Sequence, residues 1–163
     1  MFFRRYVGLL RGLLMAVGLF LFYAGLNSVA RLPPGPPESD GFIRGLAYMF
    51  ALIVGVAGLL LVQVGYAIPA GTGRFRVGPL AGRSAGLRGG VAVLVYFVVA
   101  ALMVYGIPAV VPAVTESMTY ATGLFVLVIA GVLGTVLAVL FALGGLVIRA
   151  SRRSDADDAQ PTD

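Results

Sequence analysis

The sequence predicts an all-α protein that forms a four-span transmembrane helical bundle, and three observations carry this prediction. Hydrophobic residues make up 60% of the 163 residues, whereas soluble domains contain about 45–50%. Four apolar stretches each have about 20 residues or more, the length that crosses a hydrocarbon core about 30 Å thick. None of these stretches contains an acidic residue.

The predicted spans cover about residues 12–30, 45–68, 89–111 and 120–148, within an integral membrane domain of residues 1–150. The first span could also be a cleaved signal peptide, since Ser28-Val29-Ala30 has the small-x-small pattern found before cleavage sites. We favour a retained helix, because its removal would leave three spans and put the two chain ends on opposite sides of the membrane.

The third span ends in YGIPAVVPAV, where Pro108 and Pro112 have no amide hydrogen. In an α-helix these prolines would leave the carbonyls of Val104 and Pro108 without their usual donors. Freed carbonyls can bind ions or substrate where they line a cavity. We favour the simpler interpretation, in which the helix kinks and leaves the bilayer.

The connections between spans are short. The first, RLPPGPPESDGFIR, contains four prolines and is expected to be extended. The third is so short that the last two spans should form a tight hairpin. Residues 151–163 are polar and acidic, and we expect a disordered cytoplasmic tail there.

Arginine distribution predicts the orientation of the bundle in the cell membrane. Ten of the twelve arginines lie before the first span, between the second and third, or after the fourth. Because cytoplasmic connections collect positive charge, both termini and the stretch GTGRFRVGPLAGRSAGLRGG, residues 71–90, are expected in the cytoplasm. We expect anionic lipid head groups to be contacted by four arginines of this stretch: Arg74, Arg76, Arg83 and Arg88. A phosphate-binding loop is disfavoured because the Gly-Lys-Ser/Thr sequence is missing, and no nucleic-acid partner is expected.

Tyrosine positions agree with this orientation, since amphipathic rings are enriched at membrane interfaces. Tyr6, Tyr66 and Tyr96 are expected near the cytoplasmic interface. Tyr48, Tyr105 and Tyr120 are expected near the opposite interface, and Tyr23 lies deeper.

The residue inventory argues against catalysis. Cysteine, histidine and lysine are absent and no acidic residue lies inside a span, so the spans lack the bases and activated nucleophiles that catalysis normally uses. Glu38, Asp40 and Glu116 share the predicted outer face, but they fall short of the six to eight oxygens that calcium takes. We therefore expect no enzyme activity, no cofactor and no metal site.

A few polar residues fall inside the predicted spans. Asn27 and Gln63 are each expected to form a hydrogen bond with a neighbouring helix. Arg11 lies near the inner boundary, where its side chain can extend to the head groups.

Small residues recur every fourth position in the fourth span, at Ala130, Gly134, Ala138 and Ala142. This spacing places them along one face of a helix with about 3.6 residues per turn. In lipid, such a face allows close backbone approach. We predict that it is a helix-packing seam, with a partner helix that the sequence does not select.

The tail SDADDAQPTD resembles the acidic ends of proteins from salt-loving archaea. The chain as a whole resembles the small uncharacterised membrane proteins of halophilic archaea, a resemblance of composition that implies no activity. The favoured function is that of a non-enzymatic accessory or structural membrane subunit that packs against partner helices. The alternative is a small oligomeric channel or transporter. Expected partners are membrane lipids and either further copies of this chain or another membrane subunit.

Overall fold

The computed structural model of the chain describes residues 3–31, 41–68 and 84–157. Long helices dominate: α1 is Phe3–Ala30, α2 is Gly41–Ala67, α3 is Ala85–Ala101 and α5 is Met118–Asp157. A π-helical turn, Leu102–Gly106, joins α3 to the short α4, Ile107–Val110, and a 3₁₀ turn, Pro112–Glu116, leads to α5. The protein is therefore an all-α four-helix bundle, as predicted.

Four segments of the described chain are long and apolar enough to cross a membrane: Tyr6–Ala30, Arg44–Ala67, Ala85–Val110 and Met118–Val147. Each contains most of one predicted span. The helices begin earlier than predicted because hydropathy marks the apolar part of a helix, whereas the hydrogen-bonded backbone continues through polar residues that do not break it.

The C-terminal helix departs from the expected tail. Helix α5 continues to Asp157, although disorder was predicted from residue 151. The segment from Ala150 to Asp157 contains no glycine or proline. Extending a helix that already exists needs no new nucleation, so the polar composition does not end it. Residues 158–163 lie outside the described residues.

The four long helices form two hairpins. Helix α1 packs along α2 in the first hairpin, and α3 packs along α5 in the second. Helices α2 and α5 make the main contacts between the hairpins, together with α2 and α3. We call the end that holds residues 3, 67, 85 and 157 the terminus end, and the opposite end, with Ala30 and Ser117, the far end.

Glycines let the backbones of the first hairpin touch. A Cβ atom on Gly58 would lie 2.5 Å from the carbonyl oxygen of Gly18, and one on Gly25 would lie 2.9 Å from that of Ala51. A Cβ on Gly65 would lie 3.1 Å from the carbonyl oxygen of Arg11. The contact glycines are seven residues apart on each helix, the repeat of a left-handed helix pair.

The end of the third span differs from the α-helical expectation. The amide of Ile107 donates to the carbonyl of Leu102, five residues back. In this pattern Pro108 would have donated to Met103, and it has no amide hydrogen. The freed carbonyl is thus that of Met103, where the prediction named Val104 on the assumption of four-residue spacing. The Tyr120 hydroxyl donates to the Met103 carbonyl.

Helix α5 begins with a side-chain cap. The Ser117 hydroxyl accepts a hydrogen bond of 3.2 Å from the Tyr120 amide, the arrangement typical of an N-cap serine. The same hydroxyl donates to the carbonyl of Val114 at 2.9 Å. These two bonds close the short connection, so the tight hairpin expected for the last two spans is present.

Candidate functional site

Gln63 lies about one turn from the terminus end of α2 and is fully buried, with 0% of its surface exposed. Its Nε2 donates to the carbonyl of Gly134 on α5 at 2.7 Å and to that of Gly89 on α3 at 3.3 Å. The Gln63 side chain therefore links α2 to α3 and α5. A hydrogen bond from Gln63 to a neighbouring helix was predicted, but the partner helices were not. The Oε1 atom of Gln63 is buried and has no hydrogen-bond partner among the described residues.

Glycine at position 134 makes room for this amide. A Cβ atom on Gly134 would lie 2.5 Å from Gln63 Oε1 and 3.1 Å from a methyl group of Val93. Real Cβ contacts are longer than the first distance, so alanine at position 134 would displace the amide. Oε1 thus packs against the Gly134 backbone, where a Cα–H group supplies at most a weak hydrogen bond.

The predicted small-residue seam of α5 faces α3 and Gln63. Ala130 is 0% exposed and Ala138 is 8% exposed. A Cβ on Gly89 would lie 3.3 Å from the Ala138 Cβ, and a Cβ on Gly86 would lie 2.7 Å from the Ala142 Cβ. All four positions, Ala130, Gly134, Ala138 and Ala142, are thus on the side of α5 where the other helices of this chain pack or lie nearby. How much this seam contributes to folding stays a prediction.

Arg88 does not lie where the sequence analysis placed it. It was assigned to the internal loop and to lipid head groups, but α3 begins at Ala85, and Arg88 is therefore inside the first turn of a helix. Its side chain is 1% exposed, and its Nη1 donates to the carbonyl of Ile68 at 3.0 Å. Lipid contact by Arg88 is therefore not seen. Arg74, Arg76 and Arg83 lie outside the described residues.

Arg11 joins the same region at the terminus end. It is 6% exposed, and its guanidinium carbon lies 5.5 Å from the centre of the Tyr66 ring, within the range of a cation–π contact. Arg11 and Arg88 therefore both lie beside the last turn of α2. The C-terminal end of a helix carries a partial negative charge that attracts each of the two cations, while the two like charges repel each other. The expected extension of Arg11 to the head groups is not observed.

Tyr96 also differs from its expected place at the membrane interface. It is 6% exposed, and its hydroxyl donates to the carbonyl of Leu59 at 2.6 Å. Burial of the ring requires such a partner for the hydroxyl. Since α3 runs inward from the terminus end, Tyr96 is more than two turns deep, and sequence position alone did not reveal that its ring faces α2.

Three side chains thus connect the two hairpins by hydrogen bonds to backbone carbonyls. We call the bonds from Gln63, Arg88 and Tyr96 the inter-hairpin ties. Within each hairpin the two helices approach closely at small residues, and the boundary between the hairpins contains these three polar side chains. One sequence signal for the first hairpin was missed. Its contact face could have been predicted from the spacing of seven residues between Gly18 and Gly25 on α1 and between Gly58 and Gly65 on α2.

Asn27 does not join another helix in the described structure. Its Oδ1 accepts a hydrogen bond of 3.3 Å from Arg31 Nε in an exposed position, one turn along the same chain. Asn27 is near the far end of α1, where a side chain one turn away can reach it. The prediction of an interhelical contact for Asn27 is therefore not supported, in contrast to Gln63.

The centre of the described bundle is filled by side chains. The hydrophobic core includes Val56, Leu59, Ala92, Tyr96, Ala100, Val126, Leu127 and Ala130. The fold and this site define a class: an all-helical protein with four apolar helices compatible with a multi-pass membrane protein. The chain matches no protein-family model, and no curated protein or solved structure is detectably similar to it.

Proposed function

We propose that this protein is a non-enzymatic integral membrane protein, an accessory or structural subunit that packs against partner helices. This proposal rests on the contrast between the buried polar side chains of the bundle and the exposed face of α1. The buried polar donors of Gln63, Arg88 and Tyr96 are engaged in ties within the bundle. The face of α1 that carries Gly8, Gly12 and Ala16, in contrast, is exposed.

Helix α1 is the least buried of the four spans. Its inner face contacts α2 through Gly18 and Gly25, while Gly8, Gly12 and Ala16 are exposed on another face at four-residue spacing. A Cβ atom added to Gly8 or Gly12 would meet no described atom within 4 Å. Small residues at this spacing favour close approach of a second helix in lipid, so this face of α1 is the proposed contact with a partner.

Photo-crosslinking in native membranes tests this contact. The chain has no cysteine, so an Ala16→Cys variant can carry one photoreactive group on the proposed face. We expect a protein adduct, either at about twice the mass of 16.9 kDa for a second copy or at another defined mass for a different subunit. Ala57→Cys on α2, also exposed, is the matched control. Adducts with lipid alone at Ala16, or equal protein adducts at Ala57, would contradict the proposal.

The alternative proposal is a small oligomeric channel or transporter. Because packed side chains form the core of the described bundle, this alternative places the path between subunits. Ion flux into liposomes that hold the purified protein would favour this alternative. Such flux should then be lost when the α1 contact is disrupted.

We also propose that both termini and the connection between α2 and α3 are cytoplasmic. Four spans put both chain ends on one side of the membrane, and the ten-to-two arginine distribution supports the cytoplasm as that side. Head-group contact by Arg74, Arg76 and Arg83 belongs to this proposal. An origin in salt-loving archaea is proposed on composition alone.

Cysteine accessibility tests the orientation. In intact cells, a membrane-impermeant maleimide is expected to label Ser39→Cys and to leave Arg83→Cys unlabelled until the membrane is opened. Both positions lie in connections between the predicted spans. The reverse labelling pattern would show that the proposed orientation is inverted.

A further inference from the structure

The third span changes its hydrogen-bond register near its far end. Up to Leu102 the backbone follows the α pattern, since the Leu102 amide donates to the carbonyl of Val98, four residues back. The Ile107 amide then donates to Leu102, five residues back, and the Val111 amide returns to four-residue spacing by donating to Ile107. Single π turns inside α-helices are rare and are frequent at functional sites. We call residues 102–110 the register segment.

Pro108 leaves one carbonyl without a helical donor in either of two registers. In the observed π register this carbonyl is that of Met103, because its donor would be the missing amide hydrogen of Pro108. With α spacing, Ile107 would donate to Met103, and the missing hydrogen would leave the carbonyl of Val104 without a donor instead. The proline therefore does not choose between the registers, although α spacing is by far the commoner geometry.

A side chain of the fourth span supplies the donor that the π register lacks. The Tyr120 hydroxyl donates to the Met103 carbonyl. Tyr120 lies in the first turn of α5, where the Ser117 hydroxyl accepts a hydrogen bond from its amide and so fixes its position. An unsatisfied backbone carbonyl is costly in lipid. The Tyr120 bond therefore favours the register that frees Met103 over the register that frees Val104.

The register segment can change its spacing without repacking the core. Every residue from Leu102 to Val110 is at least partly exposed. Helix α4 makes its main contacts with the π and 3₁₀ turns beside it in the chain. A change to α spacing would turn α4 by about 100°, the rotation of one residue in a helix with about 3.6 residues per turn. Different side chains of α4 would then face the rest of the bundle.

We propose that the register segment is a two-state switch, in which the Tyr120 hydroxyl holds the π register and release of this hydroxyl allows the α register. Register shifts of helices take microseconds to milliseconds. The switch changes the shape of the third span at its far end, where the span meets the connection to α5. It is independent of both proposed functions, because it depends only on bonds within this chain.

Distances between two spin labels, measured by pulsed electron paramagnetic resonance in phosphatidylcholine vesicles, test the switch. The chain has no cysteine, so Ala30→Cys on α1 and Val110→Cys in the register segment, both exposed, can carry the labels. A group about 5 Å from the helix axis moves by about 8 Å when the helix turns by about 100°. Tyr120→Phe removes one interhelical hydrogen bond, which is worth a factor of about 3–20 in an equilibrium. We expect the population at a second distance to rise by this factor.

Two further variants complete the comparison. Tyr105→Phe removes the hydroxyl of an exposed tyrosine within the register segment and is expected to leave the distances unchanged. Pro108→Ala restores the missing amide, so α spacing then provides donors for both Met103 and Val104, and the second distance is expected to dominate. Unchanged distances in Tyr120→Phe or in Pro108→Ala, or an equal change in Tyr105→Phe, would overturn the proposal.

A reference pair of labels separates the switch from general damage to the bundle. Ala30→Cys and Leu46→Cys are exposed positions of the first hairpin, outside the register segment, and their distance is expected to stay the same in every variant. If Tyr120→Phe alters this reference distance, Pro108→Ala decides the question. A dominant second distance in Pro108→Ala then supports the switch, and the original distance overturns it.

Discussion

Replacing Gly58 with alanine is expected to lower the free energy of unfolding by about 1–3 kcal/mol, the usual effect of overpacking a close contact. The new Cβ would lie 2.5 Å from the carbonyl oxygen of Gly18 and 2.7 Å from the amide nitrogen of Phe22. Both are backbone atoms, which cannot rotate away as a side chain can. The hairpin of α1 and α2 would have to separate. Denaturation by dodecyl sulfate in mild detergent, followed by circular dichroism, measures the change.

Gly45→Ala is the control for this prediction. Gly45 lies on the same helix, and a Cβ there would meet nothing within 4 Å. Alanine is the better helix former by about 0.5–1 kcal/mol, so this variant should be neutral or slightly more stable. Equal stability of Gly58→Ala and Gly45→Ala would show that the close approach of α1 and α2 does not hold the first hairpin.

The second large effect is expected at the Gln63 tie, where Gly134→Ala should destabilise the protein by about 1–3 kcal/mol. The reason is the clash of the new Cβ with Gln63 Oε1. In a Gln63→Ala background this clash is gone, so the same substitution should be less damaging by about 1 kcal/mol or more. Gln63→Ala alone loses two interhelical hydrogen bonds, each worth about 0.6–1.7 kcal/mol in membrane proteins.

A double-mutant cycle separates this coupling from a general loss of stability. Gly144→Ala on the same helix meets no neighbour, and it should combine with Gln63→Ala additively to within about 0.5 kcal/mol. If Gly134→Ala has the same effect with and without Gln63, the amide moves aside at no cost. The tie would then not explain glycine at position 134.

Part of the candidate site could be predicted from the sequence. Gln63 was identified because an amide at membrane depth needs partners, and Ala130, Gly134, Ala138 and Ala142 were identified by their spacing. Asn27 was equally prominent by the same reasoning, yet it bonds only to Arg31 among the described residues. Both residues lie about one turn from the end of their helix, so their neighbours account for the difference. Gln63 faces the backbones of two helices, whereas Asn27 is within reach of Arg31, one turn along the chain.

Arg88 and Tyr96 show why the remaining assignments failed. Both were placed by their distance from the ends of an apolar stretch, which reports depth in the membrane but not rotation about the helix axis. A soluble helix shows its buried face as an apolar stripe. Here the outward-facing and core-facing sides of the helices are both apolar, so the sequence does not indicate the direction in which a polar residue points.

The sequence by itself determined the helical class, the number of spans and their alternating direction, because each follows from chain length, apolar composition and the short connections. Only the tertiary structure decided which glycines touch, which carbonyls receive Gln63, Arg88 and Tyr96, and that the third span contains a π-helical turn. The physical reason is that hydrophobicity drives a segment into the bilayer but hardly distinguishes one helix face from another once it is there. The final arrangement depends on close packing and on individual hydrogen bonds, which exist only between helices already side by side.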